Sequence, residues 1–330
     1  MARKVQFSKI GGPEVLEIVD KEIAKPGPNE VRIKVKAIGL NRAESMFRSG
    51  RYLEDPKLPT GLGYECAGNV ESVGDGVSHV KVGDAVSVVP GFSLNQYGMY
   101  GELVLAPAPM VIKHAESLSF EEAASIWMMY ITAYDALIGT ADLKKDDVVL
   151  IPAASSSVGI AAIQICNVIG AKPVALTRTS NKAEPLLNAG AAHVIATEEQ
   201  DIVTETMKHS GGKGATVVYD PVGGPTFAKL LAACAPKARV ILYGALSPEP
   251  TTIPVLEVMA KMPTITGALT SSTSGDPVKL KKAVEFINDG LKSGKLKPVI
   301  AKVFPFDQIV ESHRFLEANQ QFGKIVVSVN

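Results

Sequence analysis

The sequence predicts an α/β protein in two parts: a β-rich part drawn from the first third of the chain, and a doubly wound parallel sheet in the middle. Three observations carry this. Residues 1–125 are rich in Val, Gly and Pro and hold short apolar or alternating runs spaced too closely for βαβ units. From residue 147 onward, short β-branched runs alternate with helical segments, the pattern of a parallel sheet covered on both faces. Between the first such strand and its helix lies a loop of small residues, Ala153-Ala154-Ser155-Ser156-Ser157-Val158-Gly159. At 330 residues, 46% hydrophobic and 21% charged, the chain is long enough for two domains of about 150 residues with ordinary cores.

Taken in order, residues 31–37 (VRIKVKA) alternate, with Val31, Ile33 and Val35 on one face and Arg32, Lys34 and Lys36 on the other: a half-buried antiparallel strand. Strands follow at 68–73, 85–89 and 103–105, broken by Gly74-Asp75-Gly76 and Val82-Gly83-Asp84 turns. Residues 121–138 have helical character and few breakers. The second rhythm runs as strand 147–151, helix 158–169, strand 173–176, helix 182–189, then strands at 193–195, 215–219 and 239–242. An amphipathic helix over 277–293 and a closing strand over 323–329 (GKIVVSV) complete the chain.

Lys plus Arg and Asp plus Glu are both 34, so the net charge is zero, which argues against a general nucleic-acid binder or a coat for acidic membranes. No apolar run approaches the ~18 residues of a membrane span, and the basic start MARKVQFSKIGG lacks the apolar run of a signal peptide. Cys66, Cys166 and Cys234 are sparse and form no CxxC, as expected in a reducing compartment, so the chain reads as cytoplasmic.

Ser155, Ser156, Ser157, Val158 and Gly159 open a helix directly after a buried strand. Small side chains there let the backbone approach a pyrophosphate, and the helix N-terminus supplies donors and a favourable dipole. A plain helix cap explains the same residues; the βαβ setting favours dinucleotide binding. The second strand then runs into Thr177-Arg178-Thr179-Ser180-Asn181-Lys182, with no carboxylate until Glu184. An acidic residue there would hold a ribose 2′-hydroxyl, whereas cations suit a 2′-phosphate. The loop therefore reads as NADPH-selective, against the alternative of a solvated capping loop.

The order and spacing of several segments carry a resemblance. They are 41–52 (NRAESMFRSGRY), 58–70 (LPTGLGYECAGNV), VKVGD at 80–84, YITAYDAL at 130–137, the 153–159 loop, DPVGG at 220–224, YGA at 243–245 and FGKIVV at 322–327. Over essentially its whole length the chain resembles zinc-independent quinone oxidoreductases of the medium-chain dehydrogenase/reductase superfamily. The resemblance implies a GroES-like catalytic domain from residues 1–129 and 276–330, and a Rossmann domain from 130–275. It implies that Ser156, Val158, Thr179, Lys182 and Lys324 contact the cofactor phosphates or their surroundings. Gly244 and Phe322 would lie beside the nicotinamide end, and Asn41 and Thr132 near its ring. Two departures stand out: Ser156 and Ser157 replace loop glycines, and Thr197 stands where a Tyr often supports the 2′-phosphate, a role open to Arg178.

The zinc ligands of related alcohol dehydrogenases are absent. Leu40-Asn41 and Gly63-Tyr64-Glu65 occupy those motifs, the four-cysteine lobe is missing, and His79, His114, His193, His209 and His313 show no ligand spacing. Each histidine is expected at the surface or in a local hydrogen bond. Without a Lewis acid the natural acceptors are quinones and α,β-unsaturated carbonyls, whose developing charge delocalises. Asn41, Tyr52, Tyr64 and Thr132 are the polar groups available. Tyr52 suits proton donation or packing, and Tyr64 suits pocket lining or space filling. The expectation is an NADPH-dependent, metal-free reductase; the alternative is a non-catalytic NADPH-binding protein of lens-crystallin or RNA-binding type. The resemblance further implies a homodimer through an edge strand after Gly244, where residues 251–254 and 264–269 are β-prone. Residues 255–262 carry Val255, Leu256, Val258, Met259 and Met262 beside them.

Overall fold

Alternation at Val31, Ile33 and Val35 becomes a strand, Glu30–Gly39, with these three side chains buried and Lys34 exposed. The structure, a computed structural model, describes all 330 residues. They form two compact units, Met1–Met128 with Pro298–Asn330, and Met129–Lys297.

In the first unit Glu30–Gly39 is the hub of a seven-stranded sheet. It pairs antiparallel with Glu65–Val73, Leu103–Pro107 and the C-terminal strand Lys324–Ser328, and Ile300–Pro305 joins on the far side of that last strand. A smaller sheet is built on the hairpin of Ala2–Phe7 and Leu16–Lys21. The pairing register matters for function: Gly39 lies opposite Glu65 on one side and Val326 on the other.

The second unit holds a six-stranded parallel sheet. In spatial order its strands are His193–Ala196, Lys172–Thr177, Val148–Ile151, Ala215–Asp220, Cys234–Leu242 and Thr264–Gly267. Numbered along the chain this is 3-2-1-4-5-6, the doubly wound order whose reversal point lies beside the first strand. Buried Leu150, Val174, Val218 and Val240 pack against Phe227 and Leu230 to form its core.

The sequence reading needs four corrections. The tail of the first unit starts at Pro298, not at 276. Helix Pro277–Lys292 buries Leu280, Ala283 and Ile287 within the second unit, and Phe286 lies 5.3 Å from the Tyr134 ring. The helical stretch 121–138 is broken. Phe120–Ala123 is opened by its Ser119 capping box and ends at Ala124, Trp127–Tyr134 follows, and Asp135–Thr140 is a wider π turn. In that turn Asp135 accepts from Ser272 Oγ at 2.7 Å and Thr273 Oγ1 at 2.5 Å, a non-local anchor no local pattern reveals. Residues 251–254 form no strand; the edge of the sheet beyond Cys234–Leu242 is Thr264–Gly267 alone. His313 is neither exposed nor locally bonded, being fully buried with Nδ1 accepting from Arg48 Nη1 at 2.7 Å. His193 and His209 stack on each other at 3.5 Å.

Candidate active site

The first strand of the second unit, Val148–Ile151, ends at the sheet's reversal point, between Lys172–Thr177 and Ala215–Asp220. The chain turns there through Ala153, held at a positive φ of 51°, and enters helix Ser157–Ile169. Ser156 is the cap, its Oγ accepting from Gly159 N at 3.0 Å. The N–H groups ahead of Gly159 have no partner within the helix and face whatever lies at its start. Gly159 is obligatory: a Cβ there would lie 2.6 Å from both Cα and O of Ala154. The loop thus keeps its close-packing glycine while serines fill the other two places. Ser155, Ser157 and Val158 are half-buried around the turn.

The basic loop after the second strand is brought to this turn. Lys182 Nζ donates to Ser155 Oγ at 3.2 Å. Burial, and secondarily the neighbouring charge of Arg178, hold the Lys182 ammonium below its ordinary pKa. Arg178 is exposed and forms no ion pair, and Thr177 and Thr179 are half-buried beside it. Glu199 is engaged by Ser180, accepting from its N at 2.9 Å and its Oγ at 3.3 Å. At the fourth strand's end Asp220 accepts from Val222 N and Gly223 N. Gly244 lies so near that a Cβ would come 2.9 Å from Pro221 O. Thr132 is half-buried on Trp127–Tyr134.

The first unit assembles a different group of residues. Because Val326 lies opposite Gly39, Lys324 is carried to the level of Asn41, and Leu40 N donates to Ile325 O at 3.0 Å. Glu65 sits across from Gly39, where a Cβ would meet Glu65 Oε1 at 2.9 Å and Ala124 O at 2.0 Å. Lys324 Nζ pairs with Glu65 and donates to Asn41 Oδ1 at 2.6 Å, both ion-pair side chains being fully buried. Asn41 Nδ2 donates to Glu65 Oε1 at 3.1 Å and Glu44 Oε1 at 3.2 Å, and Met128 N donates to Glu65 Oε2 at 3.0 Å. Lys324 Nζ thus has two acceptors inside this unit, Glu65 and Asn41. Asn41 also spends both ends of its amide here. Phe322 is half-buried two residues before the lysine.

Beside this knot stands an aromatic row. The Tyr64 hydroxyl lies 3.4 Å from that of Tyr52, the Tyr64 ring is 5.9 Å from Phe92, and Phe92 is 5.8 Å from Tyr97. Burial pushes both Tyr52 and Tyr64 upward in pKa, so each keeps its hydroxyl proton. Sequence reasoning missed Glu44, Tyr100 and Phe92. Glu44 had a local signal, the Asn-x-x-Glu spacing of a capping box, which forms here. No group of three or more His, Cys, Asp or Glu is arranged to hold a metal ion.

Family models match both halves of the chain: an alcohol dehydrogenase GroES-like domain over residues 27–116 and a zinc-binding dehydrogenase over 157–289. Quinone oxidoreductase 1 of Escherichia coli (strain K12) is 33% identical over 331 residues, covering 98% of each chain. The chain is a quinone oxidoreductase-like member of the medium-chain dehydrogenase/reductase superfamily. The crystal structure of Escherichia coli quinone oxidoreductase complexed with NADPH is similar at a TM-score of 0.91 and 31% identity, covering 99% of this chain and all of that one. CurK enoyl reductase is similar at a TM-score of 0.89 and 26% identity, covering 100% of this chain and 99% of the other. Membership agrees with the GroES-like and Rossmann expectations. Within this family of dehydrogenases, the present chain places Asn41, Tyr64 and an internal lysine salt bridge together.

Proposed function

We propose that the protein is an NADPH-dependent oxidoreductase that transfers hydride, without zinc, to a quinone or an α,β-unsaturated carbonyl. The observation that carries this is the contact between Lys182 and Ser155, which joins a cationic loop to the dinucleotide turn at the reversal point of a parallel sheet. The NADPH complex of the similar Escherichia coli enzyme supports the cofactor. The Ser157–Ile169 helix start and Ser155 would hold the pyrophosphate, while Arg178 and Lys182 would bind the 2′-phosphate. Once bound, NADPH supplies the hydride. The chain's own share is to orient the acceptor and supply a proton, for which Tyr52 and Tyr64 carry the available hydroxyls. Zinc independence is supported by the chemistry at the knot, where an ammonium and an amide answer Glu65. Such a site offers little to an unactivated ketone, whose alkoxide needs a strong electrophile. Three buried thiols, none in a disulfide, suit the cytoplasm.

Stopped-flow NADPH oxidation against a panel of quinones, enones and enoyl thioesters tests this reading. Turnover that survives exhaustive chelation is expected. Binding of NADPH with no acceptor reduced would leave a non-catalytic protein instead, and one zinc per chain would overturn the metal-free mechanism.

We also propose a homodimer. Strand Thr264–Gly267 pairs on one side only, and next to it Val255, Leu256, Met259 and Met262 are 65%, 80%, 69% and 60% exposed. Val258 and Ile265, by contrast, pack on the unit's own core. An unpaired edge beside exposed apolar residues is hazardous in a monomer and is covered in an isologous pair. Leu256→Lys with Met259→Lys should yield monomers in sedimentation equilibrium; a monomeric parent protein would refute the pairing.

A further inference from the structure

Glu44 is a carboxyl of the polar knot that the proposed mechanism leaves without a task. It lies in the first turn of helix Arg42–Arg48 and is fully buried. Its carboxyl accepts from four donors: Asn41 N at 2.7 Å, Asn41 Nδ2 at 3.2 Å, Tyr64 N at 2.8 Å and Tyr100 Oη at 2.5 Å. The third of these ties it to the peptide that carries the Tyr64 ring.

The charges around it do not balance. The knot holds two carboxyls, Glu44 and Glu65, and Lys324 is paired with Glu65. Along its own helix Arg48 is drawn away, to Glu317 at 2.5 Å and to His313 on helix Ile309–Glu317. Glu44 is left with hydrogen bonds and no cation of its own.

We propose that Glu44 is a proton-holding positioning residue, whose charge state sets how firmly the Tyr64 peptide is clamped and so where the Tyr52–Tyr64 hydroxyl pair stands for the acceptor. The proposal rests on the reductase reading above. The ionised carboxylate makes charge-assisted bonds to the N–H groups of Tyr64 and Asn41. Taking up a proton makes one oxygen a donor. Only Tyr100, with a hydroxyl that can turn from donor to acceptor, can receive it, so the two backbone bonds persist but weaken.

The electrostatics place this change near neutrality. Burial pushes the Glu44 carboxyl up to about 7, although the bonds from Tyr100, Tyr64 and Asn41 and the charge of Lys324 pull it down. Of the titratable groups facing it, Tyr100 and Tyr64 are pushed further up by burial. His313 is pushed down to about 3 by burial and Arg48, so it is neutral throughout this range.

The test needs no acceptor in its first arm. In nitrogen-15 NMR of the whole protein, the Tyr64 and Asn41 amide signals should titrate with a common midpoint near 7. Glu44→Gln should abolish that titration. Tyr100→Phe, which keeps the packing and removes one donor, should raise the midpoint. In the second arm the acceptor KM should fall several-fold between about pH 6 and 8, as the clamp tightens, with kcat changing less than about twofold. Glu44→Gln should flatten that profile. Amides that stay constant, or a KM profile unchanged by Glu44→Gln, would overturn the proposal. A merely structural Glu44 would lower the melting temperature on substitution and leave the shape of the KM profile intact. Should no acceptor be reduced at all, the reductase reading fails, while the amide titration still decides whether Glu44 holds the proton.

Discussion

The dinucleotide turn of the second unit and the polar knot of the first are built in opposite ways. The turn is a contiguous run, 153–159, that works through backbone geometry; its distant polar partners, Leu176 O on Ala154 N and Lys182 on Ser155, lie 22 and 27 residues on. The knot draws Asn41, Glu44, Glu65, Tyr100, Met128 and Lys324 from across the chain, with Lys324 and Asn41 separated by 283 residues. The turn stays half-exposed and can give its donors to a ligand. The knot is buried and gives nearly all its hydrogen bonds to itself. A local, solvent-facing group can be altered with an effect confined to binding. Altering a buried network disturbs folding first, because each lost partner leaves a desolvated charge or dipole.

The largest expected effect follows from that contrast. Lys324→Ala leaves Glu65 buried with two neutral donors, and should cost about 3–5 kcal/mol in urea denaturation. Adding Glu65→Gln should return part of the loss, since the orphaned charge is gone. A cost near zero would mean the pair does not hold the C-terminal strand to the hub.

At the turn, Arg178→Ala with Lys182→Ala should weaken NADPH by roughly tenfold or more while changing NADH little, since charge-assisted bonds contribute about 1.5–3 kcal/mol each. Isothermal titration with both cofactors checks this, and equal weakening would place those side chains elsewhere. Folding should be unaffected, which separates this unit's response from that of the knot.

A pH series probes the first unit through Glu44. Its folded pKa lies above the usual carboxylate value, so the folded chain holds a proton that the unfolded chain has lost. Stability should therefore fall as pH rises from about 4.5 to about 7 and level off above, and Glu44→Gln should remove that slope. The smallest effect is expected for Ser156→Ala, which deletes a helix cap worth about 1 kcal/mol. Thermal melts should show it, with a slight loss of cofactor affinity.

Several elements were legible because their signal is local. Alternation at 31–37 and the β-branched runs from 147 onward report burial that repeats at a fixed period, so the two kinds of sheet and the small-residue turn between strand and helix followed from the residues themselves, while the spatial order of the strands did not. Helix Pro277–Lys292 shows the limit: its stripe of Leu280, Ala283 and Ile287 announces a helix, but no stripe names the unit it packs against. Lys324 shows the same limit at the site. No local pattern announces its ion pair with Glu65, which the register of Val326 against Gly39 brings about. The sequence by itself determined the two kinds of sheet and the small-residue turn that opens a helix after a buried strand, since each depends on residue type and spacing along the chain. Tertiary structure alone decided the unit boundary at Pro298, the burial of His313 and the joining of Glu44, Glu65 and Lys324. Those depend on which distant strands pair and in what register, and that is settled by packing the whole chain rather than by any window of it.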